Sequence, residues 1–137
     1  MKFMKIKLTN VIVLAIFAIM IVYSCIRFNR NEVYLKEAGI MIIGKITGDK
    51  LTKNNFFITY SFKYNQKNHN DLKTASNIQI GDVPKFLINK SFPLILSKED
   101  PENNALLIFR EDFERYNLVY PDSLKWVCDS LKLKDCN

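Results

Sequence analysis

The sequence predicts an α+β protein, in which an N-terminal transmembrane helix precedes a small antiparallel β-sheet or partial barrel with C-terminal helices. Three observations predict it. Residues 11–23 form a thirteen-residue run without a charged or strongly polar side chain. Residues 56–64 alternate large apolar groups with smaller or polar ones, the period-two signature of a half-buried strand. After Pro121, the residues Leu124, Val127, Cys128 and Leu131 share one face at helical spacing.

The apolar run sets the organisation of the chain. Thr9, Asn10 and Ser24 are tolerable near the ends of a span, so the usable length is about 19 residues. At about 1.5 Å per residue this is just under 30 Å, enough to cross a hydrocarbon core. Its many β-branched residues do not argue for a strand, because a lone segment in lipid satisfies its backbone only as a helix. A buried core helix of a soluble protein, also without a polar face, is the rival reading, and the membrane span is preferred to it. The expected division is a basic N-terminus at residues 1–7, a transmembrane helix or signal-anchor at 8–28, and a small extramembrane domain at 29–137.

Three membrane readings stay open at this point. An uncleaved anchor fits the span length, and it is the reading we favour. A basic segment ahead of a short apolar run also describes a cleavable signal peptide. Ser24 followed by Cys25 resembles a lipoprotein box, with Cys25 as the lipidation site and Tyr23 standing where a small residue is usual. Orientation by basic flanks is tied, with Lys2, Lys5 and Lys7 on one side against Arg27, Arg30 and Lys36 on the other. The short, acid-free N-terminus favours leaving it inside, with the domain on the extracytoplasmic (periplasmic) side.

Composition bounds the partners. The 137 residues are about one domain's worth of chain, with 48% apolar and 12% aromatic residues, which excludes a disordered tail. Four glycines and four prolines exclude collagen-like and low-complexity chains. The net charge of +6 is an average: residues 27–98 carry twelve basic and five acidic groups, and residues 99–137 carry five basic and nine acidic groups. Such a balance is too mild to mark a nucleic-acid binder. The expected partner is the lipid bilayer, with the basic part toward anionic headgroups and the acidic part away from them.

The remaining elements follow in order. Residues 30–38 read as a helical extension or a short helix, stopped by Gly39. Residues 40–47 are β-branched and apolar enough for a first strand, with Gly44 marking a bulge or a close backbone approach. A polar turn covers 48–55. The strand at 56–64 puts Phe56, Ile58, Tyr60, Phe62 and Tyr64 on one face, and residues 65–70 read as a hairpin loop by composition. Residues 71–80 return as one or two weak strands. Residues 82–89 suggest a short helix, with Asp82 capping and Pro84 in the first turn. Residues 92–97 form a strand in which Pro93 requires an edge or a strand start. Residues 98–104 are a turn and 105–109 a last strand. Two short helices close the chain, the first carrying Glu111 and Arg115 four apart.

The order of membrane helix, Ile43-Gly-Lys-Ile-Thr47, Tyr60-Ser-Phe-Lys-Tyr-Asn65, Phe92-Pro-Leu-Ile-Leu-Ser-Lys-Glu-Asp-Pro-Glu-Asn103 and Leu106-Leu-Ile108 resembles the small membrane-anchored β-domains of the domain-of-unknown-function 3592 type. The resemblance covers about residues 1–109 and leaves the tail outside. It implies a bacterial envelope protein and transfers no catalytic residues.

Candidate sites are few. His69 is the sole histidine, flanked by asparagines in a polar segment, without a second ligand at metal spacing or a paired nucleophile. It reads as a solvated turn residue. Cys128 and Cys136, eight apart, are a candidate disulfide if the domain faces an oxidising compartment. Against it, a helix continuing through Leu131 would hold the two thiols apart. The acids Glu99, Asp100, Glu102, Glu111, Asp112 and Glu114 lack the alternate spacing around a glycine that calcium loops use. The aromatic strand with Lys53, Lys63 and Lys67 suggests a stacking platform for single strands, but one-face alternation is what a core strand needs. With no nucleophile–base pair, metal set or phosphate loop, the expectation is no enzyme, no cofactor and no metal. The chain reads instead as an envelope accessory or interaction module, the alternative being a lipid-anchored binding or immunity-type protein. Contact surfaces are expected at the turn 98–104 and at Tyr116, Tyr120 and Trp126.

Overall fold

The computed structural model describes residues 8–76 and 78–133. Helix α1 (Leu8–Ala38) is a single unbroken helix of 31 residues. Its length is therefore about 46 Å, some 16 Å more than a hydrocarbon core requires. From Val11 to Phe28 its apolar side chains are open to the surroundings, Val13 at 65% and Ile19 at 68%, and none of its most apolar window is buried. By length and composition the helix can cross a membrane. The chain divides into two units, Met1–Tyr34 and Leu35–Asn137. The boundary expected between residues 28 and 29 thus falls inside α1, and the second unit starts at Leu35, the first residue of the buried core.

The second unit is built on β1 (Ile40–Leu51), β2 (Phe56–Tyr64), β3 (Lys67–Thr74), β4 (Ser91–Leu96) and β5 (Asn104–Leu106). They form one antiparallel sheet in the order β3-β2-β1-β4-β5, curled into a half-barrel. The α+β class and the C-terminal helices follow the sequence expectation. Gly39 ends the helical turn before β1 through its amide to the Leu35 carbonyl (3.2 Å). A Cβ there would lie 2.5 Å from that carbonyl and 2.7 Å from Ile95 Cγ1. At Gly44 the two sequence alternatives separate. The position is a close approach, since a Cβ would come within 2.8 Å of Leu106 Cδ1, while the bulge falls between Ile46 and Gly48.

Four boundaries differ from expectation. β1 runs on to Leu51 instead of turning at residue 48, because the bulge lets Gly48–Leu51 pair with Phe56–Thr59. The hairpin after β2 is only Asn65 and Gln66, with φ of 48° and 64°, the two-residue left-handed turn that matches strand twist. Residues 67–70 belong to β3, a sheet edge, where polar and lysine side chains are what a strand uses to discourage further pairing. Polar composition alone had suggested a loop. The last strand is three residues long; Leu107 and Ile108 are fully buried beyond the ladder, although the Leu107 amide still donates to the Pro93 carbonyl (2.8 Å). Lastly, Val83–Leu87 forms one π-helical turn, and Asp82 makes no side-chain cap to it. Its carboxylate instead accepts from the Gln79 amide (3.3 Å).

The half-barrel encloses Ile46, Ile58, Phe92, Leu94, Leu96 and Leu106, all at or below 1% exposure. The β3–β4 connection is tied to the middle of β1, with the Ile46 amide donating to the Lys90 carbonyl and the Asn89 amide to the Ile46 carbonyl (2.9 Å each). Helix α2 (Arg110–Arg115), the 3-10 turn Asp122–Leu124 and helix α3 (Lys125–Leu131) add Phe113, Leu124, Val127 and Cys128 to the buried set. Burying a side chain of this size contributes about 1.5–3 kcal/mol.

Candidate functional site

The turn between β4 and β5 is the most constrained polar feature of the second unit. Among the described residues Ser97 is the one buried polar side chain, and its hydroxyl accepts from the amides of Glu99 (3.3 Å) and Asp100 (3.2 Å). The Ser97 amide donates to the Asn103 carbonyl and the Asn103 amide to the Asp100 carbonyl, 3.0 Å each. Asp100 Oδ1 accepts from the Glu102 amide (3.2 Å). The turn is therefore closed on itself while Lys98, Glu99, Asp100 and Glu102 remain exposed.

A side-chain network fixes this turn to the far side of the sheet. The Tyr60 hydroxyl of β2 donates to Asn104 Oδ1 (2.7 Å), and Asn104 Nδ2 donates to Asp71 Oδ2 of β3 (2.8 Å) and to the Pro101 carbonyl (3.0 Å). The Tyr64 hydroxyl reaches the Lys98 carbonyl (3.4 Å). Burial, reinforced by the charge of Asp71 and then by Tyr116, pushes the Tyr60 pKa far above the ordinary tyrosine value. Tyr60 is thus a permanent donor. Sequence reading placed Tyr60 on the core face but missed the network. The signal was available: a buried tyrosine hydroxyl usually finds a partner, and Asn104 is a polar group directly before an apolar strand.

A second link joins β3 to α2. Asp112 Oδ2 accepts from the amides of Ile108 (3.0 Å) and Phe109 (2.9 Å), and Oδ1 pairs with Lys73 Nζ. The Lys73 ammonium also lies over the Phe109 ring, 5.9 Å from its centroid. Asp112, grouped by composition with surface acids, is thus a structural clamp.

The other expected residues separate by environment. Tyr116 is buried, and Tyr120 and Trp126 are half-buried against the core. The Tyr120 hydroxyl donates to the Leu124 carbonyl (2.8 Å); burial raises its pKa, opposed by nearby Arg110. The Trp126 ring packs on that of Phe92 (centroids 6.1 Å apart), and the Lys90 ammonium lies over the Trp126 ring, 5.8 Å from its centroid. His69 is not in a turn but in β3 opposite Phe62, its ring stacked on Phe62 at 5.1 Å. Phe56, Ile58, Tyr60 and Phe62 are buried, so the apolar face of β2 is core. Among the described residues no three His, Cys, Asp or Glu side chains gather as a metal set. Cys25 is free and exposed on α1. Cys128 is disulfide-bonded, and Cys136 lies outside the described residues. Helix α3 does not run past Leu131: Lys132 turns left-handed (φ 51°) and the Leu133 amide returns to the Cys128 carbonyl (3.2 Å).

Comparison with known proteins finds no matching family model, no similar curated protein and no similar solved structure.

Proposed function

We propose that the chain is a single-pass membrane protein of the bacterial envelope, whose extracytoplasmic α+β domain works as a non-enzymatic interaction module. The observation that carries the anchor is α1: 31 residues in one helix, with its most apolar window wholly unburied. Exposed isoleucine and valine at this density have no favourable solvent in water, and they do in lipid. The uncleaved anchor is preferred to lipidation at Cys25 because Tyr23 stands where a lipoprotein box has a small residue. The kinship with the domain-of-unknown-function 3592 type belongs to the same reading and rests on strand order.

Placement outside the cytoplasm is supported by the bonded state of Cys128, since disulfides persist in oxidising compartments. The interaction role is supported by the turn 98–104, whose backbone is held by Ser97 and Asn104 while its acidic side chains stay exposed. A rigid exposed turn loses little entropy on binding.

Two measurements test this reading. Intact mass of the membrane-extracted chain is expected to equal the full sequence; a diacylglyceryl-modified terminal cysteine would overturn the uncleaved anchor. Val119 is 90% exposed, so a Val119→Cys label site in a Cys25→Ser background reports sidedness. An impermeant maleimide is expected to label it in intact spheroplasts, and protection until lysis would place the domain inside.

A further inference from the structure

The stretch of α1 beyond its apolar window carries a pattern of its own. Tyr23, Arg27, Arg30 and Tyr34 occur at spacings of four, three and four residues, all within the continuous helix and the first unit. At 3.6 residues per turn they fall within an arc of about 60°, making one stripe. Glu32 falls on the opposite side of the helix, and Glu37 lies about 10 Å beyond Arg30 along the axis. Tyr23, Arg27 and Arg30 are exposed and Tyr34 is half-buried.

The axial positions suit a headgroup layer. Counting from Tyr23, Arg27 stands about 6 Å and Arg30 about 10 Å further along, against a polar layer on the order of 5–8 Å per leaflet. Side chains on a helix lean toward its N-terminus, which here is the membrane side, so both guanidinium groups project back toward the bilayer. Arginine's planar fork matches phosphate bidentately, and tyrosine favours the interface between apolar and polar layers.

Resting on the membrane-spanning reading, we infer that Tyr23, Arg27 and Arg30 form a binding stripe for the phosphates of anionic phospholipids. The stripe sets the depth and rotation at which α1 sits in the leaflet from which the domain emerges. Its ligand is the lipid headgroup itself.

The test uses the full chain in micelles containing equal phosphatidylcholine and phosphatidylglycerol, with retained lipids counted by native mass spectrometry. The wild-type chain is expected to retain phosphatidylglycerol in preference. Arg27→Gln with Arg30→Gln is expected to weaken that retention on the order of 30-fold, from the loss of two basic groups near the surface. Lys125→Gln with Lys132→Gln, which removes equal charge from the exposed surface of the acidic C-terminal part, is expected to leave it unchanged. An unchanged preference in the arginine variant, or an equal loss in the lysine variant, overturns the stripe. Release of the wild-type chain from membranes by alkaline carbonate would instead overturn the membrane reading, so the two failures are distinguishable.

Discussion

Isoleucine, valine, leucine and phenylalanine build both units of this chain, yet they meet opposite fates. In the first unit Ile16, Phe17, Ile19 and Val22 are each more than half exposed, while in the second Ile46, Ile58, Leu94 and Leu96 are sealed. The difference is one of solvent. A half-barrel closes around its apolar face, and a single helix has no second surface to close against. The same residue type is buried by protein in one unit and, under the proposed anchor, by lipid in the other.

Charge in the helix is the harshest way to break this contrast. Ile16→Lys with Ile19→Lys is expected to abolish stable membrane association, since each lysine near a helix centre costs about 2.5–3.5 kcal/mol of insertion. The domain's own melting should be unaffected, and membrane fractionation beside thermal denaturation reads both.

The converse change targets the sheet. Leu94→Ala is expected to remove about 2–5 kcal/mol of domain stability, whereas Leu14→Ala in α1 leaves domain unfolding by denaturant where it was. Equal effects from the two leucines would erase the distinction between the units. Gly44→Val tests packing from the other direction. Its side chain meets Leu106 and Leu94, and a cost of about 1–3 kcal/mol is expected from overpacking.

The smallest expected effect is at the polar network. Tyr60→Phe removes the donor to Asn104 Oδ1 and is expected to cost about 1–2 kcal/mol at neutral pH. Its pH signature has a fixed sign. The folded-state pKa of Tyr60 is raised, so the folded chain holds this proton after the unfolded chain has lost it. Stability from Tyr60 is complete below about pH 10, the ordinary tyrosine value, and declines as pH rises above it. Denaturant titrations of the wild type and Tyr60→Phe should therefore converge at alkaline pH.

The legible parts of the fold were those set by periodicity. The apolar span, the strand Phe56–Tyr64 and the face of Leu124, Val127 and Cys128 each repeat a pattern that one neighbour alone dictates. What escaped depends on distant partners. Residues 67–70 look like a loop until β2 supplies a ladder, and Asp112 looks like a surface acid until Lys73 and two amides converge on it. Asn104, likewise, takes its meaning from Tyr60, which is 44 positions away. Gly44 announced a special position but not which kind, because the crowding atom belongs to Leu106.

Alkaline carbonate extraction of membranes holding the full chain separates a lipid-embedded α1 from a surface-bound one. The chain is expected to stay in the membrane pellet at high pH, and the Ile16→Lys, Ile19→Lys variant to move to the soluble fraction. Recovery of the wild-type chain in the carbonate supernatant would contradict the proposed anchor.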